Sequence, residues 1–308
     1  MRWKKLGRIF VPDGSAAWMR THAASPIPLP LEGDRIRVFV SGRDDESRAR
    51  IGSIEFHLAR PHDVAVSAEP LAELGEPGTF DENGMVGGCA LVVGAKVYIY
   101  YSGFQRGQTV PFWFFGGLLV SDDGGQTARR ASRAPILDRT DAEPIIVGAP
   151  WILRERGVWR MWYTSGVRWA RERDEMRHYY HVKYAESDDG VFWRREGRIA
   201  IDFGPDEYAI GRPCVVRDPD RYRMWYSRRG ASYRIGYAES DDGLTWNRRD
   251  DRVGIDVSPD GWDADMIEYA AVFDHAGKRW MLYNGNGYGR SGLGLAVLEE
   301  GVHRSGSD

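Results

Sequence analysis

Four acidic clusters stand at similar places along this 308-residue chain, each just before an apolar run. Asp81 opens DENGMVGGCALVV, Glu143 opens EPIIVGAPWIL, Glu207 opens EYAIGRPCVV, and Asp263 and Asp265 precede MIEYAAVF. Like charges brought to one opening raise one another's pKa, so one carboxyl stays protonated while another ionises. Cleaving a glycosidic bond requires that division: an acid for the leaving oxygen and a second carboxylate as base or nucleophile. Where a fifth cluster would stand, the chain offers Arg20 and His22 instead. Arg43, Arg212, Arg228, Trp169 and Tyr269 suit the faces and hydroxyls of a sugar, and Asn284 and Asn286 can hydrogen-bond it. The same carboxylates equally suit turn caps or partners for nearby arginines.

Groups so far apart in sequence act together only if the fold gathers them, and a repeated unit offers the means. One strand recurs as RIRVFVSG, KVYIYYSG, VWRMWYTSG, YRMWYS and KRWMLYNG. A second follows as RIGSIEF, GGLLVSDD, VKYAESDD, IGYAESDD and LGLAVLEE. Gly52, Gly117, Lys183, Gly236 and Gly294 are equivalent, spaced 65, 66, 53 and 58 residues apart. Short aromatic strands bounded by Ser-Asp-Asp-Gly turns, repeated at this period, predict an all-β, five-bladed β-propeller. The predicted blades are 13–70, 71–140, 141–202, 203–256 and 257–301 of a single domain. WKKLGRIFVP (3–12) matches WRREGRIAID, so the N-terminal strand is expected to close the last blade and cover its open edge; VHRSGSD (302–308) is expected to fray. Pro26, Pro28 and Pro30 predict an extended approach segment or a sheet margin. The SDDGGQT and SDDGLTW loops are expected to be turns rather than metal sites.

The net charge of −3 gives no reason to expect nucleic acid or an anionic membrane as a partner. No apolar run approaches a membrane span, and the basic N-terminus lacks the apolar core of a secretion signal. Cys89 and Cys214 fall on different blades and predict buried free thiols, so a cytoplasmic protein is expected. No zinc spacing, calcium loop or nucleotide fingerprint is present, and neither a metal nor a cofactor is expected.

IGYAESDDGLTW, the strand MWYS and the Glu-x-x-x-x-Arg-Pro of EYAIGRP resemble the five-bladed propeller glycosidases. That superfamily includes arabinanases, β-xylosidases, invertases, levansucrases and the β-mannoside phosphorylases. The resemblance spans essentially the whole chain and implies three carboxylates at the channel mouth, some relatives also holding a calcium ion there. It implies Glu207 as the acid and Asp81 as pKa modulator or base. The superfamily's first-blade Asp has no counterpart in THAASP, where His22 stands. His22 or Asp265 is then the candidate for the missing base.

Three readings follow. One is a glycoside hydrolase-like enzyme acting on a small sugar or glycoconjugate. Another is a phosphorylase, with phosphate held by Arg43, Arg212, Arg228 and His22. The last is a propeller that binds carbohydrate without cleaving it.

Overall fold

Strands form in this chain where apolar and aromatic residues meet turn chemistry, and their buried residues face neighbouring sheets. Residues 1–172 and 174–299 are described by a computed structural model. Among them the structure is nearly all-β, with two short 3-10 turns and no α-helix. The expected end of the last blade at 300–301 and the expected frayed tail at 302–308 lie outside the described residues.

In chain order the strands are β1 (Trp3–Phe10), β2 (Thr21–Pro30), β3 (Arg35–Arg43), β4 (Ala49–His57) and β5 (Arg60–Val66). Then come β6 (Gly84–Val93), β7 (Lys96–Arg106), β8 (Phe112–Ser121) and β9 (Arg129–Arg130). The middle holds β10 (Val147–Glu155), β11 (Val158–Glu172), β12 (Glu175–Ser187) and β13 (Ile199–Ile201). It is followed by β14 (Ala209–Arg217), β15 (Tyr222–Arg229), β16 (Tyr233–Ser240) and β17 (Asn247–Arg248). The chain closes with β18 (Glu268–His275), β19 (Lys278–Asn284) and β20 (Leu293–Leu298).

Each run of four strands is an antiparallel meander. β2–β5 and β6–β9 share one sheet through a single parallel bridge, Ala49 to Gly84. β10–β13 and β14–β17 share another through Tyr180 and Ala209. The remaining sheet runs β1-β20-β19-β18, with Trp3 opposite Leu298 and Phe10 opposite Leu293. β2, which holds the three prolines, lies at the margin of its sheet, where missing N–H donors cost least.

Hydrogen bonds link the second strand of each meander to the first strand of the next. Ser41 Oγ accepts from the Gly87 amide (3.0 Å) and Ser102 Oγ from Ala149 (2.7 Å). Thr164 Oγ1 accepts from Arg212 (3.2 Å) and Ser227 Oγ from Tyr269 (2.9 Å). Asn284 Oδ1 accepts from Ser25 (2.9 Å), which returns the series from β19 to β2. The first strands are bulged there, and Ser25, Ala149, Arg212 and Tyr269 have φ between 45° and 56°. Left-handed backbone is costly for such residues and collects at functional positions.

The second strand's tyrosine lies flat over the third strand. A Cβ on Gly117 would stand 2.3 Å from the Tyr101 ring, and one on Gly236 2.2 Å from Tyr226, so only glycine admits this approach. The Ser-Asp-Asp loops are turns: Asp123 accepts from the Gln126 and Thr127 amides, and Asp242 from Leu244 and Thr245. Cys89 and Cys214 are free and buried, and burial pushes both thiols up to about 12.

Candidate functional site

The acids singled out in the sequence hold the meanders together. Asp81, fully buried, accepts from Tyr101 Oη (2.8 Å) on β7 and Arg130 Nε (2.8 Å) on β9. Glu143 repeats this with Tyr163 Oη (2.7 Å) and Arg195 (2.8 Å), adding Ser165 Oγ (3.1 Å) and Lys183 Nζ (3.3 Å). Asp263 accepts from Tyr283 Oη (3.2 Å) and Lys5 Nζ (2.7 Å). Each clamp joins a carboxylate at the head of a meander to the second strand and to a cation from the outer edge. Glu207 is a variant: Arg248 reaches both its oxygens (2.8 and 2.9 Å), with Arg228 at 3.1 Å and the Gly204 amide at 2.7 Å. Burial raises its pKa, but the bonds from Arg248 and Gly204 outweigh that and hold it below the usual glutamate value. Glu207 is therefore ionised, the opposite of what a proton donor needs.

Several other sequence candidates also serve the framework. Asp265 is exposed, and its amide donates to Asn286 Oδ1 (2.9 Å). Asn286 also accepts from the Met266 amide (3.1 Å) and donates to Gly261 O (3.2 Å). Asn284 is buried and donates to Ala23 O (2.7 Å) and Gly292 O (3.0 Å). Arg20 pairs with Asp45 at the surface, and Arg228 is committed to Glu207. His22 faces Thr21 Oγ1 (2.9 Å); burial, then Arg43 and Arg290, lower its pKa to about 4. Trp169 packs edge-on against Phe112 and beside His178.

The space these acids were expected to line is a cavity of about 390 Å3 where the bulged first strands converge. Of the candidates, Arg43, Arg212 and Tyr269 line it. Arg229, His178, Tyr180 and Tyr233 join them, and no Asp or Glu does among the described residues. Phe104, Phe112 and Phe114 form an apolar wall, and Ser25, Ser41, Ser102, Thr164 and Ser227 bring hydroxyls. Burial first, then Arg229, lowers His178 to about 4, so its ring is neutral. The Tyr180 and Tyr233 hydroxyls are hydrogen-bonded to each other. His178 and Tyr180 belong to the long β11–β12 hairpin, prominent in the sequence as an insertion. Arg229 was legible too: side chains alternate along a strand, so Arg228 and Arg229 must face opposite sides.

One acid lies among the lining groups without lining the cavity. Glu268, the first residue of β18, is fully buried, and neither of its oxygens has a hydrogen-bond partner. Burial raises its pKa well above the usual value, against Arg229 and Tyr269, which pull the other way, so the protonated form is favoured. It precedes Tyr269 as Gly211 precedes Arg212 and Gly148 precedes Ala149. A Cβ on Gly211 would meet Thr164 Oγ1 at 2.6 Å and the Tyr180 ring at 3.0 Å. The last meander thus houses a carboxyl where two sister meanders have no room for a side chain. Among the described residues, no three His, Cys, Asp or Glu side chains gather in a group able to hold a metal ion.

No family model matches the chain. It is 46% identical over 301 residues to the uncharacterized proteins MT1551 and Rv1502 of Mycobacterium tuberculosis strains CDC 1551 and H37Rv, covering 97% of this chain and all of each relative. A solved structure described as a glycoside hydrolase superposes with a TM-score of 0.73 at 16% identity, covering 97% of this chain and 93% of that one. A thermostable family-43 glycoside hydrolase gives 0.65 at 15% identity, covering 95% of both chains. The fold is that of the propeller glycosidases, as the sequence resemblance implied.

Proposed function

We propose, for a chain that belongs to one family with the Mycobacterium tuberculosis proteins MT1551 and Rv1502, a glycoside-processing role in which a small saccharide sits in the central cavity. Glu268 is the proton-donating carboxyl in this reading. The chain is taken as one ring of five blades, its last blade completed by β1. The hydrogen bonds that run from Ser41 round to Ser25 support that ring. So does Lys5 of β1, which serves Asp263 as Arg130 of β9 serves Asp81.

The observation that carries the functional reading is the state of Glu268. Among the described carboxyls whose pKa is clearly displaced, Glu268 alone is displaced upward. An acid that must protonate a departing glycosidic oxygen has to hold its proton at working pH, and burial supplies that. Tyr180, Tyr233 and Tyr269 around it bring cavity-lining groups into the same neighbourhood. Hydroxyls and aromatic faces on the cavity wall suit a sugar's two kinds of surface.

Phosphorolysis is a second reading, favoured by the lining arginines. It needs one acid and a cationic pocket, whereas hydrolysis with two carboxylates needs a further acid beside Glu268, and among the described residues no Asp or Glu lines the wall. An aryl glycoside screen, with and without phosphate, tests both readings on wild type, Glu268→Gln and Glu207→Gln. Glu268→Gln is expected to lower turnover about 10²–10⁴-fold, and Glu207→Gln to keep the activity of whatever protein folds. Full activity in Glu268→Gln would remove the acid assignment. Saturable sugar binding with no turnover in any arm would leave a binding protein.

A further inference from the structure

We infer that the saccharide held in the cavity carries an oxyanion, a carboxylate or a phosphate ester, and that Arg43, Arg212 and Arg229 receive it. This rests on the cavity being the ligand site. Three arginines line one cavity of about 390 Å3, and among the described residues none of them is ion-paired to a carboxylate. Elsewhere in the chain, part-buried arginines are matched with acids: Arg195 with Glu143, Arg279 with Asp218, Arg248 with Glu207. The protein as a whole is slightly acidic, with a net charge of −3. The excess of positive charge is therefore local to the cavity.

Arg212 gives the clearest indication. Its residue is 4% exposed, and its terminal nitrogens donate to the carbonyls of Gly88 and Pro26 (3.0 Å for Pro26). Its Nε has no partner. Carbonyl dipoles orient a guanidinium but do not cancel its charge, and an unmatched buried cation is costly. The positive φ of 52° at Arg212 is shared with Ser25, Ala149 and Tyr269 at the equivalent bulges, so it belongs to the framework that aims this residue inward. Arg229 lies over the rings of Tyr208 and Tyr233, at 5.4 and 5.0 Å from the centroids, so it too is positioned without being neutralised. The acid beside Arg229, Glu268, has its pKa raised well above the usual value by burial, and so gives these cations little offset. A planar fork of N–H donors fits the oxygens of a carboxylate or phosphate, while the phenylalanine wall takes the apolar face of a sugar ring.

Calorimetric titration of the intact protein tests this with glucuronate, galacturonate and glucose 6-phosphate. Glucose, galactose and inorganic phosphate serve as the separate arms, each at low and high salt. At least one acidic sugar is expected to bind ten-fold or more tightly than its neutral parent, with the advantage shrinking in high salt. Arg43→Met, at a partly exposed position, should fold normally and bring the two to within about three-fold. Arg212→Met should do so more completely where its melting curve shows a folded protein. Neutral and acidic sugars binding alike, in wild type and Arg43→Met, would overturn the oxyanion inference and leave the cavity as the sugar site. Phosphate binding as tightly as any acidic sugar would place the anion outside the saccharide and overturn it too. No binding in any arm would remove the cavity reading itself.

Discussion

Removing the Asp81 carboxylate should unfold the protein more easily and leave the cavity's chemistry untouched. Asp81 is fully buried and bonds Tyr101 Oη and Arg130 Nε, both at 2.8 Å. Asp81→Ala strands the Tyr101 hydroxyl and leaves Arg130 with the Glu73 carbonyl as its remaining oxygen acceptor. Breaking one side of a buried ion pair costs about 3–5 kcal/mol. Arg130 is one-fifth exposed and can regain water, which points to the lower end, about 3 kcal/mol. At roughly 2 °C per kcal/mol for a chain of this size, the melting temperature should fall by about 6 °C. Arg130→Met and the double variant complete a cycle whose coupling should lie between about 1 and 3 kcal/mol. Urea denaturation gives the free energies, and sugar binding at 10 °C reports on the cavity. An unchanged melting temperature with binding or turnover lost would place Asp81 in the site after all.

Glu268 gives a pH test with a definite sign. Its folded pKa lies above its unfolded one, so as pH rises past the ordinary glutamate value the unfolded state releases its proton first. Stability should then fall by up to about 1.4 kcal/mol per pH unit until the folded pKa is reached. Glu268→Gln should flatten that slope and gain on wild type as pH rises above the ordinary glutamate value; parallel curves would show that the folded carboxyl is ionised. For Glu207 the sign reverses: its stabilisation is present above the unfolded pKa and fades as pH falls through the lower folded value, a loss that Glu207→Gln should abolish. Lys5→Met leaves the Asp263 carboxylate buried with only Tyr283 Oη and should cost about 2–3 kcal/mol, read by urea denaturation. A neutral result there would undo β1 as the outer strand of the last blade.

Much of the architecture could be read because its causes are local. Alternating aromatic residues in KVYIYYSG and YRMWYS make strands, and Ser-Asp-Asp-Gly makes turns, whatever lies across the sheet. The clamps were harder, since they join three places in the chain. Asp81 with Tyr101, Glu143 with Tyr163 and Asp263 with Tyr283 share a constant spacing, which is a sign of framework. The same acids, viewed singly at the heads of apolar runs, suggest a ring of catalytic carboxyls. Pairing with Arg130, Arg195 and Lys5 decides between the two, and that pairing depends on which outer strand folds over which meander. Glu268, at the entry of the last blade beside Asp263 and Asp265, was passed over as a candidate for the reverse reason. It sits inside IEYAAVF, a run that looks like plain core, and only its environment distinguishes a neutral acid from an ionised one. Arg43 and Arg212 were picked out as phosphate or sugar ligands, but nothing along the chain says that they would lack carboxylate partners. That absence, on which the reading of the cavity rests, belongs to the folded molecule.

The most direct test of the cavity as a site for an acidic sugar is a crystal soaked in glucuronate or glucose 6-phosphate. The account predicts the ligand on the channel axis, its anionic group within hydrogen-bonding distance of Arg43, Arg212 or Arg229 and its ring against the phenylalanine wall. A sugar found beside Glu207 and Arg248, with the cavity holding only water, would contradict it.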